Sequence, residues 1–254
     1  MSGTLKVRGL TIGGGIPGII VPIVDKTRKE IIDKAETLRP MQIDMVEWRA
    51  DFFDDIFDTQ KVLHAAQDLR HTLGELPLLF TIRTKKEGGN KEIDTDTYTK
   101  LNTALAQSGN IDLIDVECFL GNEIVKKNIE AIHKAGVFVV GSNHDFHATP
   151  PKDEIVSRLR KMQEMGADIP KIAVMPGDMN DVLNLLAATY EMSQKYADRP
   201  IITMSMSGKG TISRLSGEHF GSSMTFGSIG QGSAPGQIPA RQLAEVLGIL
   251  HNAL

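Results

Sequence analysis

Residues 137–176 read VFVVGSNHDFHATPPKDEIVSRLRKMQEMGADIPKIAVMP. An apolar run at 137–142 leads, through a loop, into an amphipathic stretch at 152–165, and that stretch leads to a second apolar run at 171–175. Short apolar runs on either side of a helix make a βαβ unit, and such units build parallel sheets. The pattern repeats in both directions. Strands are expected near 19–24, 43–49, 78–83, 113–117, 137–142, 171–175, 201–204 and 224–227. Helices are expected at 28–38, 59–72, 96–108, 123–135, 152–165, 179–196 and 240–251. Eight strands alternating with helices in 254 residues predict an α/β fold, a (β/α)8 TIM barrel, as one domain over 1–254. A doubly wound sheet would place a glycine fingerprint after its first strand. Here Val24-Asp25-Lys26-Thr27-Arg28 follows instead. Residues 5–12 read as a short hairpin capping one barrel end, and the Gly/Ser-rich stretch 227–237 as a long loop.

Composition narrows the class. With 41% hydrophobic and 24% charged residues the chain has enough apolar side chains for a core, which excludes disorder. Twenty-eight Lys and Arg against 32 Asp and Glu give a net charge of −4 with no polybasic stripe, so nucleic acid is not an expected partner. The longest apolar run, 18–24, is far short of the roughly 20 residues a membrane span needs. Residues 1–6 show no signal-peptide apolar region. A lone Cys118 has no partner for an internal disulfide, which points to a reduced cytoplasmic compartment.

A barrel of this kind carries its active site where the strands end, so polar residues at those ends matter most. Strand alternation places Glu47 and Arg49 on one face of the second strand and Val46 and Trp48 on the other. Thr81 and Arg83 share a face, as do Asp115 and Glu117. Glu47 and Arg49 read either as an internal ion pair or as groups at the barrel mouth, Arg83 as a donor fork for a carboxylate or a diol, and Asp115 and Glu117 as part of a polar layer, a metal site or ion-pair partners. Lys85 and Lys86 read as a solvated loop, whereas Glu87 beside two glycines is placed to fold over the mouth. His144, after an apolar strand, is suited to general acid–base work. The His-x-x-His spacing of His144 and His147 is a weak metal signal, lacking a third ligand.

Lys171 has two readings. It sits at an exposed strand start or pairs with Glu47, Asp115 or Glu117; alternatively it is an amine that attacks a carbonyl and forms a Schiff base. Arg214, in the glycine-rich region after strand seven, suits a carboxylate or phosphate. The loop 227–237 suits a lid. Met204, Met206 and Phe226 read as barrel packing.

These segments resemble the type I 3-dehydroquinate dehydratases. The matching pieces are Glu-Trp-Arg at 47–49, Arg83 followed by Glu-Gly-Gly at 87–89, and Ser-Asn-His-Asp-Phe-His at 142–147. Ile-Pro-Lys-Ile-Ala-Val-Met-Pro at 169–176, Met-Ser-Met at 204–206, Ser-Arg at 213–214 and Ser-Ala-Pro-Gly-Gln at 233–237 complete them. The resemblance implies a homodimeric barrel lyase, without metal or organic cofactor, that syn-dehydrates 3-dehydroquinate to 3-dehydroshikimate in the shikimate pathway. It implies Lys171 as the Schiff-base lysine, His144 as the acid–base group and Glu87 as its orienting carboxylate. It implies Arg214, Ser233 and Gln237 at the substrate carboxylate, and Glu47, Arg49 and Arg83 at the ring hydroxyls. Pro22 departs from relatives that carry a serine there. A sugar-phosphate aldolase and a barrel that only binds a metabolite are the competing readings.

Overall fold

The computed structural model describes residues 3–230 and 234–254. Strands β1 (Leu5–Val7) and β2 (Leu10–Ile12) form the antiparallel hairpin expected at 5–12. The barrel strands are β3 (Gly18–Ile23), β4 (Met45–Arg49), β5 (Leu78–Thr81), β6 (Leu113–Glu117), β7 (Phe138–Asp145), β8 (Ile169–Val174), β9 (Ile202–Ser205) and β10 (Met224–Ser228). The helices between them are α1 (Arg28–Leu38), α2 (Thr59–Leu73), α3 (Thr95–Gln107), α4 (Asn122–Lys134), α5 (Lys152–Glu164) and α6 (Met179–Lys195). Short helices α7 (Thr211–Leu215) and α8 (Gly217–Phe220) then separate β9 from β10. A two-residue strand β11 (Ile238–Pro239) pairs with β10 and leads into α9 (Ala240–His251).

Neighbouring strands from β10 through β3 to β9 pair in parallel. The seam between β9 and β10 closes through a bridge of Ile201 with Ser222, where Ser223 N–H donates to the Ile201 carbonyl at 2.8 Å. Parallel strands need covering on both faces, and alternation supplies two separate apolar layers. Ile20, Met45, Leu79, Leu113, Val140, Ile169, Ile202 and Met224 point inward and fill the lower barrel. Val7 and Ile12 of the hairpin pack onto that floor, which closes the barrel end opposite the strand C-termini. Val46, Trp48, Phe80, Ile114 and Val116 point outward beneath the helices. Trp48 meets Phe53 and Phe80 edge-on at 5.9 and 5.4 Å. Cys118 lies in this outer layer, and burial pushes its thiol far up, so it is a packing residue.

Three differences from the sequence expectation bear on the site. Strand β8 begins before Pro170, not after it, because Ile169 joins the buried barrel floor and holds the chain extended there. Lys171 is therefore an interior strand residue, only 3% exposed, and not the exposed strand start that one reading allowed. Strand β7 continues to Asp145, because its ladder with β8 runs on through His144 opposite Ala173 and Asp145 opposite Val174. The glycine-rich region after β9 is wound into α7 and α8 rather than left as loop; Ser213 of α7 accepts the Ser205 N–H at 2.9 Å and anchors α7 to β9. No helix among the described residues is long and apolar enough to cross a membrane.

Candidate active site

Above the apolar floor the inward positions of β4 to β7 and the first of β8 are polar, whereas those that follow on β8, β9 and β10 stay apolar. Glu47 and Arg49 come from β4, Thr81 from β5 with Arg83 two residues on, Asp115 and Glu117 from β6, Ser142 and His144 from β7, and Lys171 from β8. In register, Ser142 lies opposite Glu117 on one side and Lys171 on the other. The layer is a continuous ion network. Lys171 Nζ lies 3.1 Å from Asp115 Oδ2 and 3.8 Å from Glu47 Oε1, with the Phe226 ring centroid at 4.7 Å. Arg83 donates from Nη1 to Glu117 at 2.9 Å and to Ser142 at 3.0 Å, and its Nη2 lies 2.9 Å from Asp115 Oδ1. Glu117 also takes the Thr84 N–H and hydroxyl. Burial alone would raise the Asp115 carboxyl, but the Arg83 and Lys171 cations outweigh it and hold it below the usual carboxylate range.

The rim carries the second cluster. A short 3-10 turn at Lys85–Glu87 brings Glu87 over the barrel, while Lys85 and Lys86 stay exposed as expected. The turn closes on Gly88, whose positive φ of 82° suits glycine, and a Cβ there would strike the Phe146 ring at 2.4 Å. Glu87 Oε2 accepts the His144 N–H at 2.8 Å and faces His144 Nδ1 at 2.9 Å. Nε2 is thus the imidazole nitrogen left for a reacting group. Burial, with Arg83, Lys171 and Arg49 nearby, pushes the His144 imidazolium well below the ordinary histidine range. Burial and the Glu117 carboxylate push the Glu87 carboxyl up to about 8. The two groups titrate as a pair, and a neutral imidazole is its resting form at neutral pH.

Arg214 stands apart from the network. It is 1% exposed, and none of the described carboxylates pairs with it. Its Nη2 donates to the Pro235 carbonyl at 3.2 Å, Nη1 faces Met204 Sδ at 3.9 Å, and Nε has no partner among the described residues. Burial lowers its pKa to about 10, which still leaves it charged at neutral pH. A buried guanidinium with unspent donors is a ready site for an anion, since carboxylates match its fork.

One cavity collects these groups: Glu47, Arg49, Arg83, Glu87, His144, Lys171, Arg214 and Gln237 line it. Phe146, Ala173, Met204, Met206 and Phe226 supply its apolar walls. Ser233, also expected here, lies outside the described residues. Pro22 is not among the lining residues, nor is His147, and no group of three or more His, Cys, Asp or Glu among the described residues is placed to hold a metal. Sequence reasoning did not single out Asp51, Ser142 or Asn143. Asp51 is fully buried, grips Arg49 with both oxygens at 2.8 and 2.9 Å, and accepts the N–H groups of Arg83 and Asn90. A carboxylate two residues past Arg49 was the only available signal, and spacing gives no reason to prefer it to any loop aspartate.

A barrel whose mouth sets a buried amine, an imidazole–carboxylate pair and an open guanidinium around one small cavity defines a carbonyl-directed barrel enzyme with a site for an anionic substrate. The family model for type I 3-dehydroquinase matches residues 19–253. A 3-dehydroquinate dehydratase of Bacillus licheniformis is 53% identical over 254 residues, and one of Clostridioides difficile 51% identical over 254 residues; each match covers 100% of both chains. Among solved structures, the type I 3-dehydroquinate dehydratase of Clostridium difficile with covalently modified comenic acid superposes with a TM-score of 0.98 at 51% identity, covering both chains fully. The 3-dehydroquinate dehydratase of Geobacillus kaustophilus HTA426 gives 0.95 at 41% identity, covering 98% of this chain and 97% of that one. The chain belongs to the type I 3-dehydroquinases, hydro-lyases that dehydrate 3-dehydroquinate in the shikimate pathway.

Proposed function

We propose that Lys171, His144 and Glu87 carry the dehydration of 3-dehydroquinate in this cavity, with Arg214 seating the substrate. The observation that carries the reading is the juxtaposition itself: a 3%-exposed amine, an imidazole held at Nδ1 and a guanidinium without a carboxylate among the described residues line the same cavity. The substrate carboxylate docks on Arg214, with Gln237 beside it. This places the ring ketone at Lys171 and the ring hydroxyls at Glu47, Arg49 and Arg83. Arg49 is held for that task by Asp51.

Lys171, as the free amine, adds to the ketone carbon, and the carbinolamine loses water to give an iminium. Asp115 and Glu47, already beside Nζ, suit the cation at every stage. The iminium draws electrons from the neighbouring CH2, and His144 Nε2 removes one of its protons to leave an enamine. The enamine pushes out the tertiary hydroxyl, which leaves as water with the proton His144 returns. Because one imidazole serves both steps, hydrogen and hydroxyl depart from the same face, a syn elimination. Hydrolysis of the remaining imine releases 3-dehydroshikimate and restores Lys171. Glu87 fixes Nδ1–H toward itself and balances the imidazolium between the two transfers. The covalently modified ligand in the Clostridium difficile structure is in keeping with covalent chemistry in this family. Against a sugar-phosphate aldolase, the described residues of the cavity offer one open guanidinium rather than a phosphate cradle.

Replacing Arg214 by alanine tests the pose. No carboxylate among the described residues is orphaned by the change, so the fold should persist. Loss of a charge-assisted pair in a buried site is worth about 3 kcal/mol, roughly 10²-fold in kcat/KM, carried mainly by KM. Steady-state kinetics with 3-dehydroquinate checks it; an unchanged KM would remove the carboxylate from this end of the cavity.

The single domain over 1–254, the cytoplasmic location and the homodimer belong to the same proposal. One continuous barrel ladder, a buried reduced Cys118 and the uncharged face of α6, where Met179, Leu183 and Tyr190 stand exposed, support these three in turn. Sedimentation at twice the 27.8 kDa chain mass is expected; a species at the single mass rules the dimer out.

A further inference from the structure

Asn143 follows Ser142 on β7 and, by alternation, turns away from the barrel interior toward the helices. Its side chain is buried between two charged groups. Nδ2 lies 3.1 Å from Glu87 Oε1, and Oδ1 lies 2.9 Å from Arg158 Nη1 on α5. A carboxamide has a donor end and an acceptor end, and a guanidinium has only donors. The atom facing Arg158 must therefore be the carbonyl oxygen. That leaves the amide nitrogen for Glu87, whose other oxygen already takes the His144 N–H. A side chain on the outer helix layer thus dictates what the catalytic carboxylate receives.

We propose that Asn143 is a positioning residue for the Glu87–His144 pair, and that Arg158 sets the direction of its amide. The inference rests on the proposed roles of Glu87 and His144. The catalytic base is the state with Glu87 ionised, Nδ1 protonated and Nε2 bare. Adding a proton to the pair fills Nε2 and stops the reaction. A donor on Glu87 Oε1 favours the ionised state, and an amide turned round would set a carbonyl oxygen against the carboxylate and favour the protonated one. The other charges facing the pair are Arg83, whose Nη1 is 3.6 Å from Glu87 Oε2, Glu117 and Asp115 on β6, and Lys171 and Arg49 across the mouth. None of them touches Asn143 or Arg158, so their contributions stay constant when either is changed. Arg158 has two further contacts, an ion pair with Glu154 one turn back on α5 and the Phe119 ring. It is part-exposed, so its replacement leaves the core intact.

The test is the pH dependence of kcat in the full-length enzyme. In Asn143→Ala and in Arg158→Ala the acid limb should move to higher pH, by about one unit. KM at the optimum should stay within about twofold, because neither side chain reaches the cavity. Arg158→Lys, which presents only donors, should bring the limb back toward the parent. Glu154→Gln, which removes the surface ion pair and leaves the amide alone, should not move it. Asn143→Ala with an unmoved limb overturns the proposal, as does a shift in Glu154→Gln as large as in Arg158→Ala. Glu87→Gln separates the two levels. If it abolishes the limb while Asn143→Ala leaves it in place, only this inference fails; if it too leaves the limb in place, the reading of the pair fails as well.

Discussion

Lys171→Ala should abolish turnover, by at least about 10⁴-fold in kcat, while leaving a folded barrel. Among the described residues lining the cavity, the amine is the only group able to turn the ketone into an electron sink. Without the iminium, the CH2 proton remains far too weakly acidic for an imidazole to remove. No other described lysine lines the cavity, so no neighbour can take over. The fold should survive because Asp115 keeps Arg83 and Ser142, and Glu47 keeps the Thr81 hydroxyl. A buried carboxylate stripped of every partner would cost about 3–5 kcal/mol; one stripped of a single partner among several should cost less. Urea denaturation gives the stability and a coupled assay the turnover. The pairing of Lys171 with Asp115 and Glu47 is the ion pair that a purely structural role would also require. The variant separates the roles: a structural lysine would lose stability and keep chemistry, whereas the proposed one loses chemistry first.

His144→Ala should lose roughly 10²–10⁴-fold in kcat and behave differently in kind. The amine and the ketone can still condense, so imine should build up on the enzyme and stall before proton transfer. Intact-protein mass spectrometry after mixing with 3-dehydroquinate reads this directly. A mass increase equal to the substrate less one water should appear in His144→Ala and be missing in Lys171→Ala. Equal absence in both would mean that the imidazole is needed for condensation, and the assigned division of labour would be wrong. Emptying the site of the imidazole also leaves Glu87 without its ring partner, although Asn143 still donates to it. For that reason the mass experiment is the better readout than rate alone.

Much of the fold was legible because alternation and length act locally. The eight barrel strands fall where short apolar runs stood, and the inward face of β4, with Glu47 and Arg49, follows from Trp48 needing the helix side. The hairpin at 5–12 was legible for the same reason. The boundary at Pro170 was not, because a proline reads locally as a strand break, and only the burial of Ile169 in the barrel floor overrides it. Helices α7 and α8 were hidden because four- and five-residue helices have no periodicity to detect.

The site was legible in its residues and illegible in its partnerships. Lys171 meets Asp115 across 56 residues of sequence, and Arg83 meets Ser142 across 59. No spacing rule links positions that the barrel alone brings together. Two consequences follow. Arg83 and Lys171 are both neutralised within the ion network, and Arg214 is left as the open cation among the described residues lining the cavity. Asn143 sat unnoticed between Ser142 and His144, since its importance comes from Arg158 on a different layer.

The central claim is covalent chemistry at one lysine, and reductive trapping meets it most directly. Borohydride delivers hydride to the iminium carbon and converts the transient C=N bond into a stable secondary amine. The enzyme treated with 3-dehydroquinate and borohydride together should lose activity irreversibly, and after proteolysis the added mass should lie on the peptide containing Lys171. Borohydride alone should leave the enzyme active. An unmodified Lys171 peptide in the inactivated enzyme, or an adduct on any other lysine, would contradict the account.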